Sequence, residues 1–221
     1  MTDHIQHLTI VLQLLQTHQF FVKESKCNFA APTVAYLGHI IQQGMASLDL
    51  EKIQAILQWP KPKSFTMLRA FLGIMGFYQK FISGYATLAS PLTDLLKLKV
   101  FTWNHNANTT FLQFKNILTT PPLLHLPDFT IPFVVETDAS NSAIRAVLSQ
   151  VGHPIAFFSK KLFSKKQNNS VYVKEMLAIT ESVKKWRHYL ISNHIQITTD
   201  QQSLRGLLTS ACHTPKQQKW A

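Results

Sequence analysis

The stretch IPFVVETDASNSAIRAVLSQ, residues 131–150, decides how the rest of the chain is read. An apolar run closes on a carboxylate, Asp138. The polar turn Ala-Ser-Asn-Ser follows, and a second apolar run begins at Ala143. Acids are scarce in this protein, 11 against 22 Lys plus Arg. An acid at the end of a buried-looking strand therefore stands out. It reads as the anchor of a metal site that Glu175 and Asp200 extend.

Around this stretch the pattern is one of short strands. Residues 131–137, 143–149 and 154–159 form three apolar runs joined by short turns, which predicts antiparallel pairing. A basic, polar connection spans 160–169. Residues 172–190 then carry Met176, Ile179, Val183, Trp186 and Leu190 at steps of three and four, which predicts one helix. A fourth strand at 195–199 and a helix at 203–208 close the reading. A strand, helix and strand in one sheet imply a right-handed crossover, so the fourth strand is expected parallel to an earlier one. If that neighbour is the first strand, Asp138 and Asp200 stand side by side at carboxyl ends, where open α/β sheets form ligand sites. Glu175 is placed in the first helical turn, one residue before the stripe, pointing at the rim of the helix–sheet interface.

Three gathered carboxylates repel one another unless a cation sits among them, and an all-oxygen donor set suits Mg²⁺ or Mn²⁺. Two such ions about 4 Å apart would serve phosphodiester cleavage. Each acid also has a plainer reading. Asp138 suits a cap for the turn after it, Glu175 a first-turn acid favoured by the helix dipole, and Asp200 a cap for the helix at 203–208. Both sets of readings stand at this level.

Upstream the pattern is mostly helical. Leu8, Val11, Leu12 and Leu15 mark one face of a helix over about 4–18. Phe20–Val22 and Val34–Ile41 predict two or three short strands closing at Gly44. Asp49 is placed to cap a helix bearing Ile53, Ile56 and Leu57, and the Pro-rich linker 59–63 ends it. Ser64 caps a longer helix with Leu68, Phe71, Leu72, Met75, Tyr78 and Ile82 as its buried stripe. Lys63, Arg69 and Lys80 lie off that stripe, as phosphate contacts or as a solvated face. Ser90-Pro91 opens a short helix, 101–103 is a brief extended piece, and Asn106 or Asn108 starts a helix that Pro121-Pro122 stops.

The composition agrees with a globular chain of one or two domains: 221 residues, 46% hydrophobic and 15% charged. A formal charge of +11 favours a polyanion, either nucleic acid or an acidic membrane surface. The polar N-terminus lacks a secretion signal, and no apolar run approaches the roughly 18 residues of a membrane span, so an intracellular protein with no membrane partner is expected. Neither the two cysteines nor the ten scattered histidines make a zinc pattern.

The runs PFVVETDAS, AVLSQ, HPIAFFSKKL, SVYVKEMLAI, KKWRHYL and ITTDQQSL resemble, in order, the RNase H domain of gypsy-like long-terminal-repeat retrotransposon polyproteins. Upstream, HLTIVLQLL, VAYLGHII, KIQAILQWPKP, LRAFLGIMGFYQKFI and ASPLTDLL resemble the end of the reverse transcriptase palm, its thumb and the connection. The resemblance implies an α+β or α/β chain. Residues 1–120 would be palm end, thumb and connection, and 121–221 an RNase H-like mixed sheet with a crossing helix. It implies Mg²⁺-dependent (or Mn²⁺-dependent) cleavage of RNA in RNA–DNA hybrids by two ions, with Asp138, Glu175 and Asp200 as metal-binding acids. Lys160 and Lys161 in FSKKL, and Arg187 and His188 in WRHYL, are then expected at the hybrid, with a solvated surface as the alternative. Arg69 and Lys80 are expected where the thumb meets a duplex.

Departures from the family pattern temper that expectation. No two Asp residues are adjacent, so the polymerase motif aromatic-x-Asp-Asp is absent. Ala143 and Arg145 stand where the family usually has glycine. A fourth acid, carried by a VADAL-like motif, is not reached before Ala221. The RNase H domain is thus expected to be incomplete at its C-terminus, with its second metal site short of a ligand and weak or no nuclease activity in isolation. The alternatives are a catalytically inactive nucleic-acid binder and a purely structural fragment.

Overall fold

The structure, a computed structural model, describes residues 2–42, 44–119, 122–163 and 167–200. In its first half, α1 (Thr2–Thr17) leads into strands β1 (Thr33–Tyr36), β2 (His39–Gln42) and β3 (Met45–Leu48). Helices α2 (Leu50–Leu57), α3 (Phe65–Phe77), α4 (Tyr85–Leu88), α5 (Ser90–Leu95) and α6 (His105–Thr119) follow. The second half runs β4 (Leu124–His125), β5 (Phe133–Ala139), β6 (Ala143–Gln150), β7 (His153–Lys161), α7 (Val171–Lys185), α8 (Arg187–Leu190) and β8 (Ile195–Thr199). Among the described residues no helix is long and apolar enough to cross a membrane.

Two tight turns fix two of the hairpins. Leu37 and Gly38 have φ of 48° and 75°, and Val151 and Gly152 have 50° and 76°. Positive φ at both central residues is the turn that matches strand twist in a two-residue hairpin. The first turn pairs β1 with β2, and the second pairs β6 with β7. The first sheet has the order β1-β2-β3-β4 and is antiparallel throughout. The second has the order β7-β6-β5-β8. Its first three strands are antiparallel, whereas β8 runs parallel to β5, Phe133 opposite Ile195 through Thr137 opposite Thr199. The crossing helix therefore joins the two strands that the βαβ handedness argument pairs.

The helical half closes around one apolar core. Ser64 caps α3, its hydroxyl accepting from Met67 N at 3.3 Å, and Leu68, Phe71 and Met75 point inward from that helix. Phe81, Leu92, Phe111, Phe114 and Leu118 meet them from the following elements. Each such side chain contributes about 1.5–3 kcal/mol on leaving water. A second core lies under α7 and α8, where Phe133, Val135, Ala146 and Leu148 of the sheet pack against Trp186 and Leu190. The halves meet along β7: Ser159 Oγ accepts from Ala86 N at 2.8 Å, and Lys161 Nζ lies 2.9 Å from Asp94 Oδ2.

Several sequence expectations need correction. Phe20–Val22 forms no strand, and Phe21 is fully exposed. Gly44 joins β2 to β3 instead of closing the strands, so β3 and its partner β4 were missed. The cap of α6 is Asn104, whose Oδ1 accepts from Ala107 N at 2.8 Å, two residues ahead of the expected start. The long helix over 172–190 divides at Trp186, where φ −101° and ψ 17° end α7. The opening helix α1 buries no residue. The helix expected at 203–208 lies outside the described residues.

Candidate metal centre

The three acids singled out in the sequence converge. Asp138, Glu175 and Asp200 each offer a carboxylate oxygen, and these atoms lie within 4.8 Å of one another. The topology explains it. Asp138 is near the end of β5, and Asp200 directly follows β8, its parallel neighbour. Glu175 comes from α7, which packs across β5 and β6.

Glu175 differs from its expected position at the rim. It is the fifth residue of α7 and only 2% exposed. Ser170 caps the helix, accepting from Val173 N at 3.4 Å, so the first turn carries no acid and the dipole reading of Glu175 does not describe this helix. One Glu175 oxygen, Oε1, accepts from Ala139 N at 3.0 Å. The other, Oε2, is buried without a hydrogen-bond partner among the described residues. Burial pushes the Glu175 carboxyl above its usual range, and the Asp200 and Asp138 charges act in the same direction. Hydrogen bonds from Ala139 N and the Thr199 hydroxyl act against it.

Asp138 does not cap the turn that follows it. Ser140 does: its hydroxyl accepts from Ser142 N and Ala143 N at 3.3 and 3.0 Å and donates to Ala143 O at 2.9 Å. Asp138 instead pairs with Arg145, Nη2 to Oδ2 at 2.6 Å. Asp200 is exposed, and the helix it was to cap lies outside the described residues.

The donor set fits a hard divalent cation. It is all oxygen, it gathers three carboxylates, and one of them, Glu175, has a buried oxygen with no hydrogen-bond donor among the described residues. Beside it, Ser83, Glu136, Asp138, Arg145 and Val147 line an open cleft of about 290 Å³. Lys174 was not anticipated. It is 6% exposed and donates to Asn141 Oδ1 at 3.0 Å, tying α7 to the turn after Asp138. Its signal was present in the spacing, since Lys174 stands four residues before the buried Ala178.

The expected basic residues divide into three groups. Arg187, His188 and Arg69 are exposed on α8 and α3. Lys160 pairs with Glu181 at 2.7 Å and keeps 45% of its side chain exposed. Lys161 and Lys80 are held more closely. Lys161 pairs with Asp94 and donates to Ser90 Oγ, and half-buried Lys80 lies 5.2 Å over the Phe81 ring.

Residues 103–197 match the RNase H-like domain found in reverse transcriptase. The chain is 37% identical over 222 residues to the retrovirus-related Pol polyprotein from transposon 297 of Drosophila melanogaster, which covers 100% of this chain and 21% of that protein. It is 37% identical over 218 residues to the transposon Tf2-3 polyprotein of Schizosaccharomyces pombe, covering 95% of this chain and 16% of that one. The chain thus spans about a fifth or less of these relatives. Its fold is similar to that of the foamy viral protease-reverse transcriptase dRH in complex with double-stranded DNA, with TM-score 0.84 and 18% identity over 99% of this chain and 40% of the other. The foamy viral protease-reverse transcriptase in complex with an RNA/DNA hybrid gives TM-score 0.83 and 19% identity over 99% and 31%.

Proposed function

We propose that this chain, whose residues 103–197 match the RNase H-like domain found in reverse transcriptase and whose relatives are retrotransposon polyproteins, cleaves the RNA strand of RNA–DNA hybrids with Mg²⁺ or Mn²⁺ held by Asp138, Glu175 and Asp200. The observation that carries the reading is the convergence of three carboxylates from β5, α7 and the end of β8. When bound, such an ion stabilises charge on a phosphodiester and raises the acidity of a water.

The remaining work falls to the chain's own groups. Ala139 N holds Glu175 Oε1, so the helix carboxylate is oriented before any ligand arrives. Asp138 and Asp200 are open to solvent, which leaves a phosphate backbone a path to them. Exposed Arg187 and His188, with Lys160, are assigned to the hybrid backbone on the α8 side, and Arg69 and Lys80 to a duplex along α3. Lys161 is given the smaller share because Asp94 already engages it. The high net positive charge supplies the general attraction to a polyanion.

One observation favours a second reading, a nucleic-acid binder without cleavage: Asp138 is engaged by Arg145. A labelled RNA–DNA hybrid incubated with the chain and Mg²⁺ or Mn²⁺ separates the two. Product that disappears in Asp138→Asn supports the nuclease. Cleavage that survives Asp138→Asn contradicts the site. Hybrid binding without product, weakening steeply with salt, establishes the second reading.

A further inference from the structure

The Asp138 carboxylate already holds a cation of the chain's own. Asp138 and Arg145 are direct cross-strand partners in the β5–β6 register, so both side chains leave the sheet on the same face. Their 2.6 Å contact is a charge-assisted hydrogen bond, and the two side chains are 50% and 51% exposed. Asp138 is also one of the three acids whose oxygens gather within 4.8 Å. A guanidinium there neutralises part of the charge that would attract a divalent ion, and it repels any ion placed among the acids. The pair is exposed enough to open at small cost. Glu136 lines the same cleft and offers the displaced guanidinium another carboxylate.

We infer that Arg145 is a tethered competitor for the divalent cation, resting on Asp138 in the cation-free protein and swinging away when the ion binds. This rests on reading the three acids as a cation site. Its consequence is a weakened site, which fills only at raised cation concentration and gains affinity when the guanidinium is removed. Residue 145 is thereby a determinant of cation affinity that touches the site through Asp138.

Mn²⁺ titrated into the full chain, with free Mn²⁺ read by electron paramagnetic resonance and thermal stabilisation read in parallel, tests the inference. Arg145→Gln and Arg145→Gly are expected to bind Mn²⁺ about five- to tenfold more tightly than the native chain, and Arg145→Lys to fall between. Gln keeps the strand's side-chain bulk, so the result does not depend on how the strand tolerates glycine. Added NaCl should narrow the gap between the native chain and Arg145→Gln, because salt screens the competing charge. Equal affinity in the native chain and both neutral variants, with Asp138→Asn still weakening binding, overturns the competition and leaves the acid site standing. Binding untouched by Asp138→Asn, or absent from every variant, overturns the acid site and this inference with it.

Discussion

Ala139 N donates to Glu175 Oε1 at 3.0 Å, and this one bond fastens the crossing helix to the end of the strand that bears Asp138. One Glu175 oxygen tethers the helix, and the other is buried without a hydrogen-bond partner among the described residues. Glu175→Gln keeps an acceptor for Ala139 N and removes a charge crowded by Asp138 and Asp200. The cation-free variant is expected to melt about 2–4 °C higher at neutral pH, the shift that about 1 kcal/mol gives in a domain of this size. The same variant should lose Mn²⁺ binding. Glu175→Ala should melt lower than Glu175→Gln, having lost the tether. Calorimetry with and without Mn²⁺ checks all three expectations.

Asp94 joins the two halves of the chain through Lys161, and its carboxyl is held down to about 2 from an ordinary 3.8. The hydrogen bond from Lys97 contributes most, then that from Lys161, against the opposing effect of burial. A carboxyl depressed on folding stabilises the fold above its unfolded pKa and loses that contribution as pH falls through the folded value. The window is therefore from about 3.8 down to about 2. With 47% of the side chain exposed, screening leaves a contribution of about 1 kcal/mol. Asp94→Asn should flatten the fall of stability with acid across that window, measured by denaturant unfolding at a series of pH values.

Arg187→Ala and Arg69→Ala should each weaken hybrid binding and reduce the slope of log affinity against log salt by about 1 if each contacts a phosphate. Lys161→Ala should change the slope less and lower stability instead, because its ammonium is spent on Asp94 and Ser90. Binding isotherms at several salt concentrations, paired with unfolding curves, distinguish the two behaviours.

Leu68 is fully buried in the helical core beside Phe71 and Met75. Leu68→Ala is expected to cost about 2–5 kcal/mol, read as a lower denaturant midpoint with unchanged slope.

Much of the site was legible because a βαβ crossover leaves few topologies. The handedness rule placed the strand at 195–199 parallel to an earlier one, and pairing with β5 sets Asp138 beside Asp200. Glu175 was legible as a partner but not as a buried one, since a residue just off an apolar stripe reads equally as core or rim. The contact of Arg145 with Asp138 was not foreseen, although the position was marked as unusual. A strand pattern identifies faces, whereas this contact depends on register, which the three-residue connection 140–142 sets. The two-residue β4 carries no periodicity, and its pairing with Met45 and Ala46 spans the whole helical core. The Asp94–Lys161 contact is likewise distant in sequence and left no local mark.

The central claim is that Asp138, Glu175 and Asp200 together hold the divalent cation. Crystals of the chain soaked in Mn²⁺ and measured at the manganese absorption edge test it most directly. An anomalous peak coordinated by these three carboxylates, with Arg145 drawn off Asp138, is the predicted result. Manganese bound elsewhere, or no peak among the acids while Arg145 stays on Asp138, would contradict it.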